Sequence, residues 1–258
     1  MLAIVSFLSV FCSAVLLSCG IPNEYFHFGS AFFGIISLIP LYTAFLYGKS
    51  RRRSACLYGL MTALVHLFGS FWLVNFQDFA VFTLGASTVA YFFLGLPFGI
   101  WFYYCMKLPV RLRPFVFASL WTLWEWFKAS GFVAYPWGSL AMTTLSLKPL
   151  IQIADITGVW GITALIALIS ALLAETVTST AGLNSGFSPE KNKPLLRPLI
   201  FTAGLLAVIN GYGFYRLYEK RIPEKTLTAA LVQQNTDPWV QDMFFENLYD
   251  IQKLSETA

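Results

Sequence analysis

Residues 120–161 read LWTLWEWFKASGFVAYPWGSLAMTTLSLKPLIQIADITGVWG, and this stretch decides the fold. An apolar run enters it from Pro114 and carries Trp121, Glu125 and Lys128 at positions i, i+4 and i+7, which places all three on one helix face. From 134 to 152 the chain is only mildly apolar and is broken by Pro136, Gly138 and Pro149. A second apolar run then starts at Ile153. An interrupted apolar segment between two apolar helices predicts a surface or re-entrant piece buried against protein at a membrane boundary.

Working outward, five more apolar runs flank these two. The seven cover residues 2–19, 28–48, 55–74, 79–106, 114–133, 153–174 and 198–217. Each approaches the roughly 20 residues needed to cross about 30 Å of hydrocarbon. The fourth contains Pro97, which predicts a kink. Over all 258 residues, 57% are hydrophobic and only 12% charged, more apolar surface than one soluble core requires. The net charge of +4 is held in short clusters between apolar runs, which fits membrane orientation and excludes a nucleic-acid footprint. Cys12, Cys19, Cys56 and Cys105 lie in apolar stretches without metal-ligand spacing, so they read as small buried hydrophobes. No metal and no cofactor is expected. Leu16-Leu17-Ser18-Cys19 has the look of a lipobox, but a basic segment does not precede it, so the first run reads as an uncleaved helix.

Lys49, Arg51, Arg52 and Arg53, then Lys107, Arg111 and Arg113, then Lys191, Lys193 and Arg197 fall on one side of the seven runs. The opposite loops hold Lys128 and Lys148. The positive-inside rule makes the clustered side cytoplasmic, with the N-terminus inside and the tail outside; Arg216, Lys220 and Arg221 oppose this but precede a long external segment. The loop at 175–197 reads as a flexible connection. In the tail, 226–233 (TLTAALVQ) predicts a strand and 235–238 a turn. Residues 238–254 predict an amphipathic helix capped by Asp237, with Val240, Phe244, Leu248 and Ile251 as its apolar stripe. One strand and one helix close no core, so the tail reads as the beginning of a domain.

A purely structural reading of Trp121, Glu125 and Lys128 is an interfacial aromatic belt with one solvated ion pair, since Glu and Lys three apart can pair. A functional reading is an ionisable pair shaping a cavity for a polar head group. His27 and His66 read as structural, and Asp155 as an interfacial or helix-start charge.

The stretch is similar to the apolipoprotein N-acyltransferase family, whose pattern sets Trp, Glu and Arg on such a helix, followed by a Gly-Phe-Pro-Trp turn, Pro-Leu and Gly. The matches are Trp121, Glu125, Pro136, Trp137, Pro149, Leu150 and Gly158, with Lys128 in place of the Arg, Ala134-Tyr135 in place of Gly-Phe, and Ala141-Met142 where Gly-Tyr is common. Residues 68–72 (FGSFW) resemble the family's third-helix motif, and 230–235 (ALVQQN) the first strand of its nitrilase-like domain.

The resemblance implies an all-α polytopic membrane protein of about seven transmembrane helices (1–217), with the start of an α/β nitrilase-like domain at 218–258. It implies a bacterial inner-membrane location. It implies phospholipid-dependent N-acylation of a lipoprotein's S-diacylglyceryl cysteine, with a phospholipid as acyl donor and a diacylated apolipoprotein as acceptor. Family chemistry uses a cysteine thiolate, a glutamate base and a lysine for the oxyanion. Those three lie beyond position 258 in the family's order, so no catalytic residue is assigned here. The substrate-side candidates are Trp121, Glu125, Lys128, Pro136, Trp137 and Trp239. The alternatives are an inactive remnant or scaffold lacking the triad and a transporter, which would need mid-helix ionisable residues or an internal repeat.

Overall fold

Runs of Leu, Phe, Ala and Ile with few polar neighbours satisfy their backbone internally, so nearly every described segment is helical. The computed structural model describes residues 2–48, 50–75, 81–131, 134–180, 196–220, 228–233 and 244–257. They divide into two compact units, 1–218 and 219–258.

The first unit is a helix bundle. Helices α1 (Leu2–Gly20), α2 (Ala31–Leu46) and α3 (Arg51–Gly69) lead to a 3₁₀ turn at Phe71–Asn75. A π-helical turn, Val81–Ala86, runs into α4 (Ser87–Cys105), followed by α5 (Arg113–Lys128). A 3₁₀ turn at Leu140–Thr144 and the short α6 (Lys148–Ile151) then bring the chain to α7 (Ala154–Thr180) and α8 (Leu196–Tyr218).

The start of α3 is capped by the Ser50 hydroxyl, which accepts from the Arg53 amide at 3.3 Å. The α3–α4 interface is lined with small residues, as membrane helices pack. A Cβ at Gly59 would lie 2.7 Å from the Phe92 carbonyl oxygen, and one at Gly99 would lie 2.6 Å from Ala55 Cα. Thr62 ties the pair by donating to the Tyr91 carbonyl at 2.8 Å. Beneath this interface Tyr58, fully buried, packs its ring against Phe102 (4.8 Å), Trp124 (5.7 Å) and Trp121 (6.0 Å).

Three helical stretches are long and apolar enough to cross a membrane: Val81–Cys105, Ala154–Ser179 and Leu196–Tyr218. The chain is a helical membrane protein. The apolar helices Ile4–Gly20 and Ala31–Leu46 are shorter. The second expected span begins three residues late, at Ala31, and the third ends its α-helix at Gly69 before the 3₁₀ turn.

Several expectations need correction. Glu175, expected in a loop, sits inside α7, 4% exposed, because Arg113 binds it there. Arg113 Nε lies 3.0 Å from Glu175 Oε1, and Tyr42 donates its hydroxyl to the same oxygen at 2.6 Å. Arg113, expected as a loop charge, is therefore 1% exposed and neutralised inside the bundle. Residues 181–195 of that loop lie outside the described residues, as does Lys49. Cys12, Cys19 and Cys56 face outward, and Cys105 alone among the four is buried. An apolar stretch in a membrane helix continues around its lipid face, so apolarity does not tell inward from outward.

In the second unit, the described part of the expected strand, 228–233, is exposed and forms no strand. An extended segment needs a neighbour to take its N–H and C=O groups, and none pairs with it among the described residues. Helix α9 (Phe244–Thr257) is amphipathic, with Leu248 and Ile251 exposed on its apolar stripe. The Asp237-Pro238 cap, Val240 and Trp239 lie outside the described residues.

Candidate functional site

At the loop end of α5 the chain builds a polar knot under an apolar rim. The shared face of Trp121 and Glu125 forms as the spacing requires, with the indole Nε1 donating to Glu125 Oε1 at 2.9 Å. Glu125 is 1% exposed. The Leu140 amide donates to Oε1 at 2.7 Å, and the Thr163 hydroxyl donates to Oε2 at 2.7 Å. Three donors, two of them from outside α5, thus compensate a carboxylate that burial alone would make costly. The expected solvated Glu125–Lys128 ion pair does not form. The half-buried Lys128 turns away and donates to the carbonyls of Trp137 (3.0 Å) and Gly138 (3.4 Å).

Both charges are thereby spent on the segment between α5 and α7. Glu125 holds it by an amide and Lys128 by carbonyls, and the bond of Thr163 ties α7 to the same carboxylate. The replacement of the family's Arg by Lys128 is intelligible here, because two carbonyl oxygens ask for point donors and not for a planar fork. The turn is also pinned from α3. Trp137 Nε1 donates to the Gly69 carbonyl at 2.8 Å, with Trp72 packed edge-on at 6.2 Å, and the Tyr135 hydroxyl donates to Ser70 Oγ at 2.9 Å. Burial raises the Tyr135 hydroxyl above the ordinary tyrosine range against that hydrogen bond, keeping it a neutral donor. The broken segment is buried as its sequence predicts: Leu140, Ala141, Thr143, Thr144 and Leu150 are all inside.

Trp137 separates two spaces. On its inner side lies a narrow cavity lined by His66, Tyr91, Trp121, Glu125 and Lys128. On its outer side an open groove of about 280 Å³ runs past Ala129, Pro136, Met142, Val159 and Trp160. Gly158 opens the start of α7 at this point, with φ 62° and ψ −173°, a conformation essentially restricted to glycine. Asp155, one turn earlier, is ion-paired with Arg216 of α8 at 3.0 Å and accepts from the Tyr212 hydroxyl at 2.7 Å.

The structure therefore brings Trp121, Glu125, Lys128, Pro136 and Trp137 together, while Trp239 lies outside the described residues. Sequence reasoning missed Thr163, 38 residues from Glu125, and the cavity position of His66. A lone Thr or His in an apolar helix carries no signal of what it meets across the bundle.

A bundle of apolar helices with a buried, fully hydrogen-bonded carboxylate under an aromatic turn defines an integral membrane protein with a built site at one end. The family described as the apolipoprotein N-acyltransferase N-terminal domain matches residues 13–172. Apolipoprotein N-acyltransferase 2 of Treponema denticola is 48% identical over 254 residues, covering 98% of this chain and 48% of that protein. The protein of the same name from Treponema pallidum is 48% identical over 246 residues, covering 95% of this chain and 43% of that protein. The apolipoprotein N-acyltransferase of Borreliella burgdorferi is 27% identical over 250 residues, covering 95% and 46%. The chain belongs to the apolipoprotein N-acyltransferase family, and it spans a little under half the length of these relatives.

Proposed function

We propose that this chain forms the membrane part of an apolipoprotein N-acyltransferase. In this reading it admits a phospholipid and holds its ester where the acyl group passes to the α-amino group of a lipoprotein's S-diacylglyceryl cysteine. Residues 1–217 form a bundle of about seven membrane-spanning segments in the bacterial inner membrane, N-terminus in the cytoplasm. Residues 218–258 begin a periplasmic nitrilase-like domain.

The observation that carries the reading is the lock on the Pro136-Trp137 turn: Glu125 to the Leu140 amide, Lys128 to the Trp137 and Gly138 carbonyls. One buried and one half-buried charge spent on one loop make a rigid rim, which supports positioning of a reacting ester. Trp121 and Glu125 act on substrate through the turn, Lys128 both through the turn and from the wall of the inner cavity, and Pro136 and Trp137 face it. Trp239 remains a substrate-binding candidate on the family resemblance alone. None of the four cysteines is placed as a nucleophile, since Cys105 is buried beside the Arg113 carbonyl and the others face outward.

The test is a chimaera in which these 258 residues replace the matching half of the Treponema denticola relative. It is expressed in cells depleted of their own N-acyltransferase, with triacylated lipoprotein read by mass spectrometry. Glu125→Ala is expected to lower N-acylation at least about tenfold, the rate equivalent of about 1.4 kcal/mol, with membrane insertion intact. Loss of insertion with unchanged activity per inserted molecule would make Glu125 purely structural.

A further inference from the structure

The inner cavity holds one polar group that nothing described so far uses. His66, 7% exposed, places Nε2 2.7 Å from Ser87 Oγ and stacks its ring on Tyr91 at 4.4 Å. The Ser87 hydroxyl already donates backward to the Thr83 and Leu84 carbonyls. A hydroxyl has a single proton, so Ser87 accepts from His66, and the imidazole carries its proton on Nε2. Nδ1 is then an acceptor, and it has no partner among the described residues. Across the same cavity Lys128 has three ammonium protons and two acceptors among the described residues, both backbone carbonyls. The Glu125 carboxylate in the wall is occupied by its three donors.

From this arrangement we infer that the cavity is a subsite for an alcohol hydroxyl at the tip of a polyol phospholipid head group. The hydroxyl donates to His66 Nδ1 and accepts from Lys128 Nζ. An ammonium head group fits the chemistry poorly, because it has protons only and meets the charge of Lys128. A carboxylate or phosphate oxygen fits poorly too, because it offers Nδ1 nothing to accept. The cavity is narrow, walled by Trp121, Trp124 and Tyr91, and matches a head-group tip and not a whole lipid. Its depth agrees: His66 lies one turn below the end of α3, level with the start of α4 and the end of α5. The inference rests on the reading of a phospholipid as donor and adds the head-group chemistry to it.

The experiment uses the full chain in nanodiscs of phosphatidylcholine containing equal amounts of phosphatidylglycerol and phosphatidylmethanol with matched acyl chains. The two have the same phosphate charge, and only the first carries head-group hydroxyls. Lipid retained after gentle extraction is read by native mass spectrometry. Phosphatidylglycerol is expected to be retained about fivefold over phosphatidylmethanol, the discrimination that one net hydrogen bond gives. His66→Phe, which keeps the stacking on Tyr91, is expected to bring the ratio to about one without lowering total phospholipid. His66→Gln, which restores an acceptor, is expected to recover part of the preference. Equal retention by the unsubstituted chain, or a preference unchanged in His66→Phe, overturns the subsite and leaves the phospholipid reading standing. Retention of neither lipid overturns both. Displacement of phosphatidylglycerol by excess free glycerol overturns the lipid assignment, because the subsite would then take soluble polyols.

Discussion

Glu125 and Arg113 set opposite charges near the two ends of one helix, and each is bound by α7. Arg113 meets Glu175 near the end of α7, and Glu125 meets Thr163 near its beginning, so antiparallel α5 and α7 are clamped twice. The two clamps differ in kind. A buried ion pair stabilises little relative to a well-packed apolar substitute, yet losing one partner strands the other charge. Arg113→Ala is therefore expected to destabilise the bundle by about 3–5 kcal/mol. The double variant Arg113→Met/Glu175→Leu should be milder than either single change. Unfolding in mixed micelles, followed by tryptophan fluorescence, measures both, and a double variant worse than Arg113→Ala would refute the clamp as described. At the other end the carboxylate is held by neutral donors and shares its cavity with Lys128 without an ion pair, so Glu125→Gln should keep the Trp121 and Leu140 bonds to Oε1. It is expected to cost about 1–2 kcal/mol where Glu125→Ala costs more, since Ala leaves three buried donors unmatched.

The elements show how the segment between α5 and α7 is carried. Gly158 breaks the start of α7 in a conformation that any side chain strains, although a Cβ there would meet only Trp160 Cδ1, at an ordinary 3.7 Å. Gly158→Ala is thus expected to cost about 1–3 kcal/mol by backbone strain alone. By contrast Gly99→Leu acts by volume, driving α4 away from Ser54 and Ala55 of α3. A disulfide introduced across α3 and α4 should form readily in the native sequence and poorly in Gly99→Leu. Much of this level was legible in the residues, because apolar run length sets the helices and the i, i+4, i+7 spacing sets the face of Trp121, Glu125 and Lys128. The partners were not. Spacing allowed Lys128 to reach Glu125, but two carbonyls 9 and 10 residues on took the ammonium. Residues 175–180 (ETVTST) have loop composition, and Arg113, 62 residues away, together with Tyr42 shows why they stay helical. Local pattern cannot encode a contact made across the bundle, and it cannot distinguish an inward Cys105 from an outward Cys12.

At the scale of the molecule the charges argue for one orientation more cleanly than the residue count does. Arg113 leaves the cytoplasmic tally because Glu175 neutralises it, but Arg51, Arg52, Lys107 and Arg111 remain exposed at that end of the bundle. At the opposite end, Lys128 is absorbed by carbonyls, and Arg216 is ion-paired with Asp155. Arg216 is one of the charges that oppose the proposed orientation, and its pairing lowers the opposition to that of Lys220 and Arg221, because the rule acts through uncompensated Lys and Arg near helix ends. In a background with all four cysteines replaced by Ser, Arg52→Cys and Lys225→Cys report the two sides to a membrane-impermeant maleimide. Intact spheroplasts should label position 225 and spare 52, and permeabilised cells should label both. Asp155→Asn removes one carboxylate partner of Arg216 and should make labelling at 225 partial, as a fraction of chains retains the end of α8 inside. Labelling of 52 alone in intact spheroplasts would reverse the orientation and put the Pro136-Trp137 rim on the cytoplasmic face, which contradicts the proposed function.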